Sequence, residues 1–124
     1  MNLTEVIQKK VWAVLGATSR KEKFGYKILM HLRKHGYTVY AVNPNVDEIE
    51  GEPCYNSLRD LPEVPDVVDF VVPEIVGLVA LDECKDLGIS TVWLQPGADK
   101  PSVVKKAEEL GFDVIQDCVL VQIK

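Results

Sequence analysis

The chain has 124 residues, a formal net charge of −5, 47% hydrophobic and 27% charged residues, the balance of an ordinary folded protein of about one domain, here residues 1–124, and not of a disordered one. The longest apolar stretch, residues 75–81, is far short of the roughly 20 residues that cross a bilayer, and no apolar signal core follows the N-terminus, so a cytoplasmic protein with no membrane partner is expected. Three scattered cysteines, Cys54, Cys84 and Cys118, lack the close pairs of a disulfide framework or zinc site, and the acidic balance disfavours nucleic acid.

In chain order, residues 11–15 form an almost unbroken apolar run, the pattern of a strand covered on both faces. A helix follows, with Ile28, Leu29 and Leu32 on its inner side and His35-Gly36 at its end, leading to a strand over 38–42. Residues 43–66 hold Gly51, Pro44, Pro53, Pro62 and Pro65 and predict a loop with at most one helical turn over 57–61. A strand over 67–72 leads into a helix whose apolar face reads Val76, Val79, Ala80, Cys84 and Leu87, then through Gly88 to a strand over 91–94. The last unit is a helix with Val103, Val104, Ala107 and Leu110 inward, Gly111, and a strand over 113–115 that 119–123 extends. Helices alternating with strands imply an α/β, Rossmann-like, doubly wound parallel sheet of about five strands.

Charge is unevenly spread. Residues 1–36 hold eight bases against Glu5 and Glu22, while the remainder holds six bases against seventeen acids. One basic end on an acidic protein suits a compact anionic ligand, and a solvated helix face would give the same count. In a parallel sheet ligands bind at the carboxyl ends of the strands. There the first strand runs into Gly16, Ala17, Thr18, Ser19 and Arg20, with Lys23, Phe24 and Gly25 at the next helix start. A tight glycine turn, two hydroxyls, two cations and the free N–H groups of a helix start outline a phosphate cradle. The alternative is a structural turn capped by Thr18 or Ser19.

The second strand ends at Asn43-Pro44, where a dinucleotide site would usually place a carboxylate for the ribose hydroxyl. Val72-Pro73 and Gln95-Pro96-Gly97 follow two further strands; the proline start leaves backbone for a flat group, and the Gln95 amide could bond a ligand from both sides. Strand-terminating turns would use the same residues. His31 and His35 lie four apart on one helix without a third metal ligand, so no metal site is expected. Asp66 and Asp69 suit capping or edge roles. Cys118 reads as a core cysteine or as a thiol beside the cleft.

The series Val14-Leu15-Gly16-Ala17-Thr18-Ser19-Arg20, Phe24-Gly25, His35-Gly36-Tyr37-Thr38-Val39, Val42-Asn43-Pro44, Gly51, Tyr55-Asn56-Ser57-Leu58, Val67-Val68-Asp69, Val72-Pro73, Trp93-Leu94-Gln95-Pro96-Gly97 and Asp117-Cys118 resembles the stand-alone CoA-binding domain family, which is similar to the N-terminal CoA-binding domain of the succinyl-CoA synthetase α subunit. The resemblance implies coenzyme A as ligand, with residues 16–23 at the ADP phosphates, Asn43-Pro44 and Val72-Pro73 along the adenosine and pantetheine path, and Gln95-Pro96-Gly97 toward the thiol. The family's larger synthetases use a phosphorylated histidine and a nucleotide-grasp domain, neither of which is matched here. The resemblance therefore implies binding without catalysis, alone, as a homo-oligomer or with a protein partner. Two other readings stand beside it: an NAD(H)-binding regulator or oxidoreductase, and the CoA-binding subunit of a split acyl-CoA synthetase.

Overall fold

The computed structural model describes residues 2–124. Seven strands form one sheet: β1 (Val11–Leu15), β2 (Thr38–Val42), β3 (Glu48–Ile49), β4 (Glu52–Tyr55), β5 (Val67–Phe70), β6 (Thr91–Leu94) and β7 (Asp113–Gln116), in the order β3-β4-β2-β1-β5-β6-β7. Every neighbouring pair is parallel except β3 with β4. Winding starts at β1 and runs outward both ways, so strand order reverses between β1 and β5. That reversal opens a crevice at their carboxyl ends, where ligands of doubly wound sheets bind.

Five strands were expected. The two additional ones, β3 and β4, lie within the proline- and glycine-rich segment 43–66, beside the single turn of 3₁₀ helix at Leu58–Asp60. Pro53 has no N–H to give; it sits in β4 opposite Glu48 of the outermost strand, just before Cys54 and Tyr55, the residues through which β4 pairs with β2.

The helices are α1 (Leu3–Ile7), α2 (Phe24–Lys34), α3 (Glu74–Asp86), α4 (Pro101–Glu109) and α5 (Val119–Gln122). The three longer ones end alike. The N–H groups of Tyr37, Ile89 and Phe112 reach back to the carbonyls of Leu32, Cys84 and Ala107, closing each last turn over a left-handed glycine. One face of the sheet, with Trp12, Val14, Val67 and Trp93, packs on Ile28, Leu29 and Leu32 of α2 and Val119 of α5. The other, with Ala13, Val68, Phe70 and Val92, packs on Leu81 and Cys84 of α3 and Val103 and Ala107 of α4. Both faces being covered explains the unbroken apolar runs of β1 and β5.

Three sequence expectations change. Residues 119–123 do not extend the last strand. They hold α5, with Val119 and Ile123 buried while Val121 is 57% exposed, the spacing of a helix face. The strand expected over 67–72 stops at Phe70, although the Val71 N–H still donates to the Leu15 carbonyl at 2.9 Å; Pro73 then forms the N-cap of α3. Finally, α3 buries Gly77, Ala80, Leu81 and Cys84, while Val76 and Val79 of the expected inner face point outward. Among the described residues no helix is long and apolar enough to cross a membrane.

Candidate functional site

The turn after β1 is packed against its neighbours through backbone. Gly16 has φ +96°, donates its N–H to the Val42 carbonyl at 3.0 Å, and lies so close to the end of β5 that a Cβ there would stand 2.1 Å from the Val71 carbonyl oxygen. Gly25, in the first turn of α2, presses on the same bend: its Cβ would meet the Gly16 oxygen at 2.2 Å. Glycine at both places lets the helix start and the two strand ends meet at the crevice. Ala17 is fully buried, and its carbonyl accepts from the Asn43 amide at 2.8 Å. Ala17 therefore shapes the turn without presenting a side chain. Asn43, whose Oδ1 also accepts from the Asn45 N–H at 2.9 Å, ties two loops together.

The polar part of the turn faces solvent. The Thr18 hydroxyl accepts from the Arg20 N–H at 3.2 Å, Ser19 is exposed, and the Arg20 guanidinium donates to Glu22 at 3.0 Å, with both side chains more than 60% exposed. The Glu22 carboxyl is held below its ordinary range by a backbone hydrogen bond first and by Arg20 after it. An exposed pair of this kind contributes little and exchanges readily, so Arg20 is available to a stronger anion. Lys23 is the N-cap of α2 and makes no side-chain capping bond. The helix thus opens with uncapped N–H groups, its positive dipole end and two cations on one side.

Five cavities follow the carboxyl edge of the sheet and run into one another. One of about 400 Å³ is bounded by Gly16, Thr18, Arg20, Lys23, Phe24 and Gly25. A second, of about 330 Å³, lies over Gly16, Asn43, Pro44, Val72 and Pro73, and continues into a third, also about 330 Å³, between Pro44 and the outward side chains Ile75, Val76 and Val79. A fourth, about 270 Å³, spans Val72, Pro73, Pro96, Gly97 and Ala98. The fifth and smallest, about 100 Å³, is enclosed by Phe24, Ile28, Val71, Gln95, Pro96 and Cys118. Val71 borders four of the five. Of the residues singled out from sequence, Gly16, Thr18, Arg20, Lys23, Phe24, Gly25, Asn43, Pro44, Val72, Pro73, Gln95, Pro96 and Gly97 meet at this edge; Val71, inside an apolar run, carries no sequence signal of its place there.

Gln95 departs from its expected part. Its amide is 3% exposed; Nε2 donates to both carboxylate oxygens of Asp69 at 2.8 and 2.9 Å, and Oε1 accepts from the Val119 N–H at 3.3 Å. The side chain fixes β5, β6 and the start of α5 to one another and offers a ligand mainly its surface. Asp66 behaves as expected, its carboxylate accepting from the Val11 N–H at 3.1 Å. Asp69 does not. It lies in mid-strand, with no solvent exposure, and burial pushes its carboxyl up to about 8 against the bonds from Gln95.

Because the folded pKa of Asp69 is above the unfolded one, its contribution to stability is complete below about pH 4 and is lost as pH rises through about 8. Asp69→Asn carries no charge at any pH. Thermal melts from pH 5 to 8.5 are expected to shift steadily in the variant's favour relative to the parent chain; a pH-independent difference contradicts this.

The histidines are committed elsewhere: His31 Nε2 bonds the Ile123 carbonyl and His35 Nδ1 the His31 carbonyl, and neither borders the cavities described. Cys118, placed at the N-cap of α5, is half-buried, and all three cysteines are free.

Known proteins resemble this chain in sequence and in fold. A family model described as a CoA binding domain matches residues 10–124. The ADP-forming acetate–CoA ligase I of Archaeoglobus fulgidus is 45% identical over an alignment of 116 positions that covers 86% of this chain and 17% of that protein, so the chain spans less than a fifth of that relative. A conserved hypothetical protein of known structure from Pyrococcus furiosus superposes with a TM-score of 0.85 at 39% identity, over 91% of this chain and 98% of that one. The dinucleotide-forming acetyl-coenzyme A synthetase 1 of Ca. Korarchaeum cryptofilum, solved with phosphate and ADP, superposes with a TM-score of 0.75 at 28% identity, over 92% of this chain and 27% of that one. The chain belongs to the CoA binding domain family, and coenzyme A is its ligand.

Proposed function

We propose that the chain holds coenzyme A along the carboxyl edge of its sheet and presents it without transforming it. The observation that carries this reading is the continuity of the groove from the cationic turn at Gly16, Arg20 and Lys23, across Val71, to Pro96 and Gly97. The diphosphate sits at the start of α2, where uncapped N–H groups, the helix dipole and two cations favour an anion. The adenine occupies the cavity between Pro44 and α3. Ile75 and Val79, 77% and 67% exposed, provide the apolar surface that a flat ring covers at about 25 cal/mol per Å². The pantetheine arm crosses Val71 and Val72 toward Gly97, whose backbone is open on its Cβ side.

Absence of catalysis is supported by how the titratable groups are employed. Both histidines bond backbone away from the groove, Asp69 is sealed under it, and the cations at the turn are binding groups. In the archaeal ligase the matched region is 17% of the chain. We infer that this domain likewise supplies coenzyme A to chemistry performed by other domains or a partner chain. An NAD(H) site is less well supported, since Asn43 follows β2 with its amide already bonded to Ala17 and offers the ribose hydroxyls no carboxylate. Calorimetric titration with coenzyme A and NADH tests the choice: coenzyme A is expected to bind and resist displacement by NADH, and tighter binding of NADH would overturn the reading.

A further inference from the structure

The smallest cavity has a character the others lack. It is enclosed between the sheet and the layer of α2 and α5, and its walls are the Phe24 ring, Ile28, Val71, Pro96 and the half-buried Cys118. Gln95 is the one amide on its surface, and that amide already spends its donor on Asp69 and its acceptor on Val119. Water needs two to four polar partners to settle in a cavity, and this one offers almost none. Its natural occupant is hydrocarbon.

Size and position narrow the choice. An apolar cavity of about 150 Å³ takes a benzene ring, so one of about 100 Å³ takes about four carbons. Phe24 and Val71 are shared with the cavity at the cationic turn, and Pro96 with the one beneath Gly97. The cavity opens off the groove at β5 and β6, one and two strands from the turn after β1, or roughly 5 to 10 Å away laterally. A pantetheine arm anchored by its diphosphate at that turn spans such a distance.

Resting on the proposed path of coenzyme A, we propose that this cavity receives the short hydrocarbon chain of an acyl-CoA thioester, so that the domain distinguishes acylated from free coenzyme A and short chains from long ones. The four carbons include the thioester carbonyl carbon, which lies just inside the mouth, and the methylene and methyl groups beyond it enter between Ile28, Val71 and Cys118.

Calorimetry with free, acetyl-, propionyl-, butyryl- and octanoyl-CoA reads this directly. Each carbon added up to butyryl is expected to tighten binding about fourfold, from the transfer energy of a buried methylene, and octanoyl-CoA is expected to bind no better than butyryl-CoA. Cys118→Leu, which fills the cavity, should bring the ratio of butyryl-CoA to free coenzyme A affinity toward one. Ile28→Val, a smaller change that enlarges the cavity, should make valeryl-CoA, one carbon longer, bind more tightly than butyryl-CoA, which it does not in the parent chain. If free coenzyme A binds and affinity is flat from acetyl to octanoyl, the acyl assignment is wrong and the path of coenzyme A survives. If free coenzyme A itself fails to bind, the path is wrong and the acyl assignment falls with it.

Discussion

Gly16→Ala is expected to lower the thermal midpoint by about 10 °C. The added Cβ would lie 2.1 Å from the Val71 carbonyl oxygen and 2.9 Å from both the Val71 carbonyl carbon and a Val72 methyl. The obstructing atoms are chiefly backbone, held in the ladder by the Val71 bond to Leu15 and the Gly16 bond to Val42. They cannot swing aside as a side-chain tip would. Overpacking of this kind costs about 1–3 kcal/mol, and a non-glycine residue at φ +96° adds about 1 kcal/mol or more. For a chain of this length each kcal/mol lowers the midpoint by roughly 3–4 °C. Gly36→Ala separates the two causes. Its φ is +86°, and nothing lies within 4 Å of the added carbon, so it should lose only the conformational part, a fall of about 4 °C. Equal midpoints for the two variants would show that the close approach at Gly16 does not matter.

Arg20→Ala and Lys23→Ala are each expected to weaken coenzyme A binding about tenfold, as follows from losing a hydrogen bond to a charged group. Both side chains are exposed and neither supports the core, so the melting temperature should hardly move. Binding by the parent chain should weaken with salt and its advantage over the variants should shrink, since phosphate contacts near the surface are screened over about 10 Å at 0.1 M ionic strength. The double variant needs its own titration, because two cations facing one diphosphate are close enough to couple. Calorimetry giving both single variants the parent affinity would remove the cationic turn from the site.

The main strands and the glycine turn were legible because local chemistry there agrees with the fold. Residues 11–15 are apolar on both faces because both faces are covered, and Gly16 is the residue that a bend against two strand ends requires. Legibility failed where the deciding partner is distant in sequence. The burial of Asp69 rests on an amide 26 residues away, and nothing near 67–70 announces it. The same amide holds the Val119 N–H, so α5 and not a strand follows β7. In α3 the run 75–81 is apolar all round, and periodicity alone cannot tell the side facing α4 from the side facing the groove. The exposed side, with Ile75, Val76 and Val79, carries the surface assigned to the adenine. Val71, which borders most of the groove, is hidden for a simpler reason: it reads as one more valine in a strand.

The position of the diphosphate decides whether this groove is the coenzyme A site. The most direct measurement is a crystal structure of the chain grown with coenzyme A. The diphosphate is expected against the first N–H groups of α2 within hydrogen-bond reach of Arg20 or Lys23, with the adenine between Pro44 and α3. A diphosphate bound anywhere else, with this turn left to solvent, contradicts it.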